Sequence, residues 1–138
     1  MKIVHWRLDR IKPYPGNPRH NDAAVDAVAR SIEPFGFRQP IVVDGDGVIV
    51  VGHTRFKAAE KLGIATVPVH IAKDLTPEQV KAYRLADNKS AELSDWNYEL
   101  LPIELAGLQE MNFDLSLLGF DQDELAQLLN PGIQDGLC

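Results

Sequence analysis

The sequence predicts an α+β fold: a small mixed β-sheet flanked by helices, followed by an acidic helical C-terminal part. Three observations carry this. Short β-branched runs at Ile41–Val43, Val48–Val51 and Thr66–Ile71 are the length of strands, not helices. Capped segments with apolar residues at helical spacing alternate with them. The chain has 138 residues, 45% hydrophobic and 25% charged, which fits one domain with a real core.

Taken in order, Lys2–Leu8 carries Ile3, Val4 and Trp6 in loose alternation and reads as a short strand. Lys12–Asn21 holds three prolines and a glycine and reads as an ordered, extended loop, since proline fixes its own φ and extends its predecessor. A helix follows, capped by Asn21 or Asp22, with Val25, Val28, Ala29 and Ile32 on one face and Gly36 ending it. Ile41–Val43 and Val48–Val51 are joined by Asp44-Gly45-Asp46-Gly47 and read as a hairpin with an exposed tight turn. The next helix turns Phe56, Ala59 and Leu62 inward and stops at Gly63. Thr66–Ile71 is a strand whose Pro68 suggests an edge or a strand start. Thr76-Pro77-Glu78-Gln79 has capping-box spacing and opens a helix expected to reach about Asn88. Beyond it, Tyr98, Leu101, Leu105 and Leu108 share a helical face, with Pro102 either kinking that helix or marking its first turn. Asp121 with Glu124 caps a last helix bearing Leu125, Leu128 and Leu129.

Composition narrows the functions. No apolar run approaches ~18 residues, so no membrane span is expected. The start, MKIVHWRLDR, lacks the apolar core of a secretory signal, and the expected compartment is the cytoplasm. Cys138, the sole cysteine, can form neither an internal disulfide nor a cysteine metal cluster. His5, His20, His53 and His70 are not at metal-ligand spacing, so no metal site is expected. The net charge of -6 is uneven: residues 1–73 carry 11 Lys+Arg against 7 Asp+Glu (+4), and residues 74–138 carry 3 against 13 (-10). Broad duplex binding is disfavoured by this, while a local basic face in the first half is not.

The most informative segment is Ile49–Ala59. A strand feeds through Gly52 straight into a helix, whose first N–H groups lack intrahelical partners and suit a phosphate. His53 stands at the helix start, Thr54 offers a hydroxyl and Arg55 a planar fork; the bland alternative is an ordinary tight turn with a solvated arginine. Arg19, within Asn17-Pro18-Arg19, either pairs with an anion or is simply exposed. Gln39, in Gly36-Phe37-Arg38-Gln39-Pro40, either faces a ligand or helps end the preceding helix. Asp87 and Asn88 either bind a ligand or form a plain helix C-terminus.

In this order, these segments resemble the ParB/sulfiredoxin superfamily, specifically its ParB-like N-terminal (ParB-like nuclease) domain, from about Ile3 to Glu92. Asn17-Pro18-Arg19 resembles its N-P-R box, and Gln39-Pro40-Ile41-Val42-Val43 its G-x-x-Q-P–strand stretch. Val51–Ala59 resembles the G-x-R-R-x-x-A-A phosphate motif, and Asp87-Asn88 the E-N box. The resemblance implies binding of a nucleoside triphosphate, CTP or ATP, with Mg²⁺, through Gly52, His53, Thr54, Arg55, Arg19, Gln39 and Asn88. The departures are Thr54 at one arginine position, Asp87 for glutamate, and Ala91 where an arginine follows the E-N box. They argue against hydrolysis and a CTP-driven sliding clamp. The sulfiredoxin cysteine falls at His53, which argues against sulfinic-acid reduction.

Ala86-Asp87-Asn88-Lys89, Asp95-Trp96-Asn97 and Leu118-Gly119-Phe120 resemble a subgroup from phages and mobile elements in which this domain precedes a DNA methyltransferase. From the short, acidic stretch beyond Leu93, no helix-turn-helix domain is expected. The expected organisation is a ParB/sulfiredoxin-like domain over 1–92, a helical extension packed on it over 93–130, and a tail or linker over 131–138. The leading expectation is a nucleotide-binding, DNA-associated regulatory module with little turnover of its own. Its partners would be nucleotide, DNA (weakly or through a fused domain) and a second copy in a homodimer, with no membrane. The alternatives are a DNase, nucleotidase or small-molecule kinase with Glu33 or Asp87 as catalytic base, and an interaction domain with a decayed pocket.

Overall fold

Residues 1–16 and 22–129 are described by a computed structural model, and the chain divides into two units, Met1–Leu93 and Ser94–Cys138. In the first unit, β1 (Val4–Arg7), β2 (Ile41–Val43), β3 (Ile49–Val51) and β4 (Thr66–Ile71) form one mixed sheet in the order β1-β4-β2-β3. The β1–β4 and β2–β3 pairs are antiparallel, and β2–β4 is parallel. A parallel pair needs a crossover, which the β2–β3 hairpin and α2 (His53–Leu62) supply between them. Strand alternation sends Ile41, Val43, Ile49, Val67 and Val69, all at 0% exposure, into one core with Trp6, Phe56 and Ala59. Each such side chain contributes about 1.5–3 kcal/mol relative to exposure.

Helix α1 (Asp22–Phe35) lays Val25 and Ala29, with Val28 and Ile32, against Ala58 and Leu62 of α2. Lys61 and Asp26 form an ion pair across the same two helices. Helix α2 thus has two buried faces, Phe56 and Ala59 toward the sheet and Ala58 toward α1. Gly36, at φ +80°, ends α1 and donates its N–H to the Ile32 carbonyl at 2.7 Å. Helix α3 (Pro77–Glu92) packs against β3 and opens with the expected capping box, Thr76 with Gln79.

Four local expectations are corrected. Pro68 lies in β4, a central strand, but β2 pairs only from Val69 onward, so no β2 ladder bond is required of it. The hairpin turn is exposed at Gly45 and Asp46 only; Gly47, at φ +83°, is buried against the Trp6 ring. Helix α3 continues to Glu92, past the polar Asn88-Lys89, because neither glycine nor proline interrupts it and Lys89 pairs with Glu92 at 3.2 Å. Tyr98 is exposed and precedes α4 (Leu101–Glu110), since the Asn97 carboxamide accepts the N–H groups of Glu99 and Leu100 and turns the chain there. Pro102 sits in the first turn of α4 and does not kink it.

In the second unit, Leu105 and Leu115 are buried, and Asp114 caps the 3-10 turn Leu115–Leu118 by accepting the Ser116 N–H at 3.0 Å. Asp121 and Glu124 cap α5 (Gln122–Leu129) reciprocally. The Trp96 and Phe120 rings meet at 5.5 Å. Among the described residues, no helix is long and apolar enough to cross a membrane.

Candidate functional site

The junction between β3 and α2 is built on Gly52, whose φ of 110° and ψ of 26° suit glycine. A Cβ there would stand 3.2 Å from Nη2 of Arg55 and 3.4 Å from Cα of Ile41, so the space a side chain would need holds a guanidinium. Arg55 folds back from the first turn of α2. Its Nη2 donates to the Pro40 carbonyl at 3.1 Å and its Nη1 to Oε1 of Gln39 at 3.3 Å. Its Nε is buried and has no partner among the described residues, which is uncommon for a charged donor inside a protein. Burial lowers the Arg55 pKa, and the Asp87 carboxylate works against that; the guanidinium stays charged. Gly52 offers no capping side chain and no acidic residue lies in the first turn of α2, so among the described residues no side chain caps the positive end of its dipole.

On the other side of the junction, His53 is buried, and its Nε2 accepts the backbone N–H of Tyr14 at 3.1 Å. That bond requires a neutral ring with its proton on Nδ1. Burial, then the charges of Arg84 and Lys57, push the His53 pKa down from 6.5 to about 4. Arg84, only 5% exposed, lies over the Tyr14 ring at 3.6 Å and donates Nε and Nη2 to the Ile49 carbonyl at 3.2 and 3.0 Å. The start of the proline-rich loop is thereby tied to α2 and α3.

The structure brings Gly52, His53, Arg55 and Gln39 together, with Asp87 near enough for its charge to act on Arg55. Thr54 is half-buried in the first turn of α2, and Asn88 half-buried on α3. A cleft of about 300 Å³ beside Arg55 and Gln39 is lined by Ser31, Phe35 and Phe37. Glu33 is exposed on α1 and lines no part of it. Arg19 and the rest of Asn17-Pro18-Arg19 lie outside the described residues. Sequence reasoning missed Tyr14 and Arg84. The available signal was Arg84 four residues after Val80, in the apolar register of α3.

The strand, the left-handed glycine and the helix start carrying Arg55 are the junction read from the sequence, and the return of Arg55 to Gln39 and Pro40 is added by the structure. The ParB N-terminal domain family matches residues 1–89. The chain belongs to that family. The ParB-methyltransferase HTH domain matches residues 99–136, which overturns the expectation that no helix-turn-helix domain follows residue 93. Acidity was a poor guide there, because such a domain is defined by its buried helical pattern while its charge sits on the surface.

Among relatives of this ParB family member, the ParB-like nuclease domain-containing protein YnaK of Escherichia coli (strain K12) is 40% identical over 80 residues, covering 57% of this chain and 92% of YnaK. The nucleoid occlusion protein of Bacillus cereus (strain B4264) is 36% identical over 137 residues, covering 95% of this chain and 44% of that protein. Against relatives of that kind the chain spans less than half their length. Among solved structures, C-terminally truncated ParB from Caulobacter crescentus, complexed with CTP-gamma-S, superposes with a TM-score of 0.78 at 21% identity, over 99% of this chain and 84% of that one. Sulfiredoxin from Arabidopsis thaliana gives a TM-score of 0.51 at 31% identity, over 60% of this chain and 97% of that one. The small mixed sheet flanked by helices is therefore a ParB/sulfiredoxin fold.

Proposed function

We propose that the chain is a nucleotide-binding, DNA-associated module and the N-terminal regulatory part of a DNA-modification (methyltransferase) protein. Its ligand is a nucleoside triphosphate of the CTP or ATP type, with Mg²⁺. The observation that carries this reading is the buried, unpartnered Nε of Arg55 beside the uncapped start of α2. A phosphate at that point gains helix N–H groups, the favourable end of the dipole and a guanidinium. The CTP-gamma-S complex of the Caulobacter protein supports the choice of ligand, and the match of residues 99–136 supports the methyltransferase link. The N-terminal domain extends over 1–92, and the helical part from 93 onward contains the match to residues 99–136.

The donors hold phosphates in ground state and transition state alike, which gives binding without rate. Of the two candidate bases, Asp87 is the one whose charge reaches Arg55. An enzymatic reading, as a nuclease or nucleotidase, therefore rests on Asp87. Phosphate release from CTP or ATP, or plasmid nicking, above roughly one turnover per minute and lost in Asp87→Ala would establish it.

Calorimetry with a panel of nucleoside triphosphates, with and without Mg²⁺, tests the binding. Arg55→Ala should weaken it by about 1.5–3 kcal/mol, the range for a charge-assisted hydrogen bond. Equal affinity of parent and variant for every nucleotide would place the site elsewhere.

A further inference from the structure

A groove of the first unit is lined by other residues than the Gly52–Arg55 turn. It lies among residues 12–15, the β2–β3 hairpin and the start of α3, and encloses about 660 Å³. A cleft of about 290 Å³ adjoins it and shares Lys12, Gly45, Asp46 and Lys73, so the two run on as one channel. Five cations line this channel, Arg10, Lys12, Lys73, Lys81 and Arg84, against two carboxylates, Asp44 and Asp46. Five minus two leaves +3 on a chain whose net charge is -6. Asp44 is engaged by its own turn, its Oδ1 accepting the N–H groups of Asp46 and Val48.

Among the described residues, none of these cations is held in an ion pair, and the hydrogen-bonding and stacking partners of Arg84 are neutral, the Ile49 carbonyl and the Tyr14 ring. Arg10 lies over the Trp6 ring at 4.0 Å. Among the described residues, neither these arginines nor Lys12, Lys73 and Lys81 form an ion pair with a carboxylate. The lysines are exposed, and the cations are divided between the two clefts, Arg10 in the smaller, Lys81 and Arg84 in the larger, and Lys12 and Lys73 shared by both. Cations spread over two adjoining clefts are complementary to an anion repeated along a chain. We propose that the channel is a binding track for the phosphodiester backbone of a nucleic acid. The proposal rests on the DNA association proposed above and assigns it to the first unit. Backbone phosphates displace their counterions onto such a track, giving binding with little sequence preference and a steep salt dependence.

The test is fluorescence anisotropy of the full chain with labelled duplex and single-stranded oligonucleotides, from about 50 to about 200 mM salt. Two triple variants are compared with the parent: Lys12→Glu with Lys73→Glu and Lys81→Glu, and the same three positions changed to Gln. All three side chains are exposed, and the Gln set guards against a fold lost to charge reversal. The parent should bind oligonucleotides at low salt, and an equal concentration of inorganic phosphate should not compete. The Glu set should lose at least about tenfold in affinity, and the Gln set should flatten the salt slope by about one for each phosphate it no longer neutralises. Nucleotide affinity should persist in the Gln set, while Arg55→Ala should lose nucleotide and keep oligonucleotide, so each reading can fail without the other. Unchanged affinity and slope in both triple variants would move the binding to residues 99–136 and overturn the proposal. Absence of binding by the parent, or competition by inorganic phosphate at equal concentration, would overturn it too.

Discussion

Lowering the pH should break the tie between Tyr14 and α2 in a way that one substitution can isolate. His53 accepts the Tyr14 N–H only as a neutral ring, and its pKa is pushed from 6.5 down to about 4. The unfolded chain takes up this proton as pH falls below about 6.5, while the folded chain resists it until about 4. The stabilisation from the neutral ring is therefore complete above the unfolded value and is lost as pH falls toward the folded one. Linkage gives a loss of about 2–3 kcal/mol between pH 7 and pH 4.5, at 1.36 kcal/mol per tenfold change in proton affinity. Carboxylates titrate in the same range, so the quantity to measure is the difference between the parent and His53→Gln. Glutamine offers a neutral acceptor near the position of Nε2 and does not titrate. Urea unfolding at pH 7, 5.5 and 4.5 should show the parent losing about 2–3 kcal/mol more than the variant. The His53 imidazole resonances should titrate well below 6. Parallel stability profiles, or a His53 that titrates near 6.5, would refute the reasoning.

Two further outcomes are expected. Gly52→Ala places a Cβ 3.2 Å from Nη2 of Arg55 at a φ of 110°, and should cost about 1–3 kcal/mol in thermal or urea unfolding and weaken nucleotide binding along with it; an unchanged midpoint would show that the turn relaxes freely. Arg84→Met leaves the Ile49 carbonyl without its two donors and should cost about 1–3 kcal/mol. Because the Arg84 charge is one cause of the depressed His53 pKa, the same variant should raise that pKa, which NMR titration of the imidazole reads directly.

What the sequence determined by itself is what short-range signals encode. The Thr76–Gln79 and Asp121–Glu124 caps, the stops at Gly36 and Gly63, and the apolar stripe Val25–Ala29–Ile32 each involve residues within a few positions of one another. They follow from helix geometry whatever the rest of the chain does. The strand–Gly52–helix junction and Arg55 were legible for the same reason. Tertiary structure alone decided what those residues touch. The parallel β2–β4 pairing and the packing of α3 on β3 bring Arg84 to Ile49, 35 positions away, and the Tyr14 N–H reaches His53, 39 positions away. The channel draws Lys12 and Lys73 from the sequence half that carries +4, and Lys81 and Arg84 from the half that carries -10. Summed charge along a chain therefore hides a field that exists only once distant segments share a surface, because electrostatic interaction depends on separation in space and not in sequence.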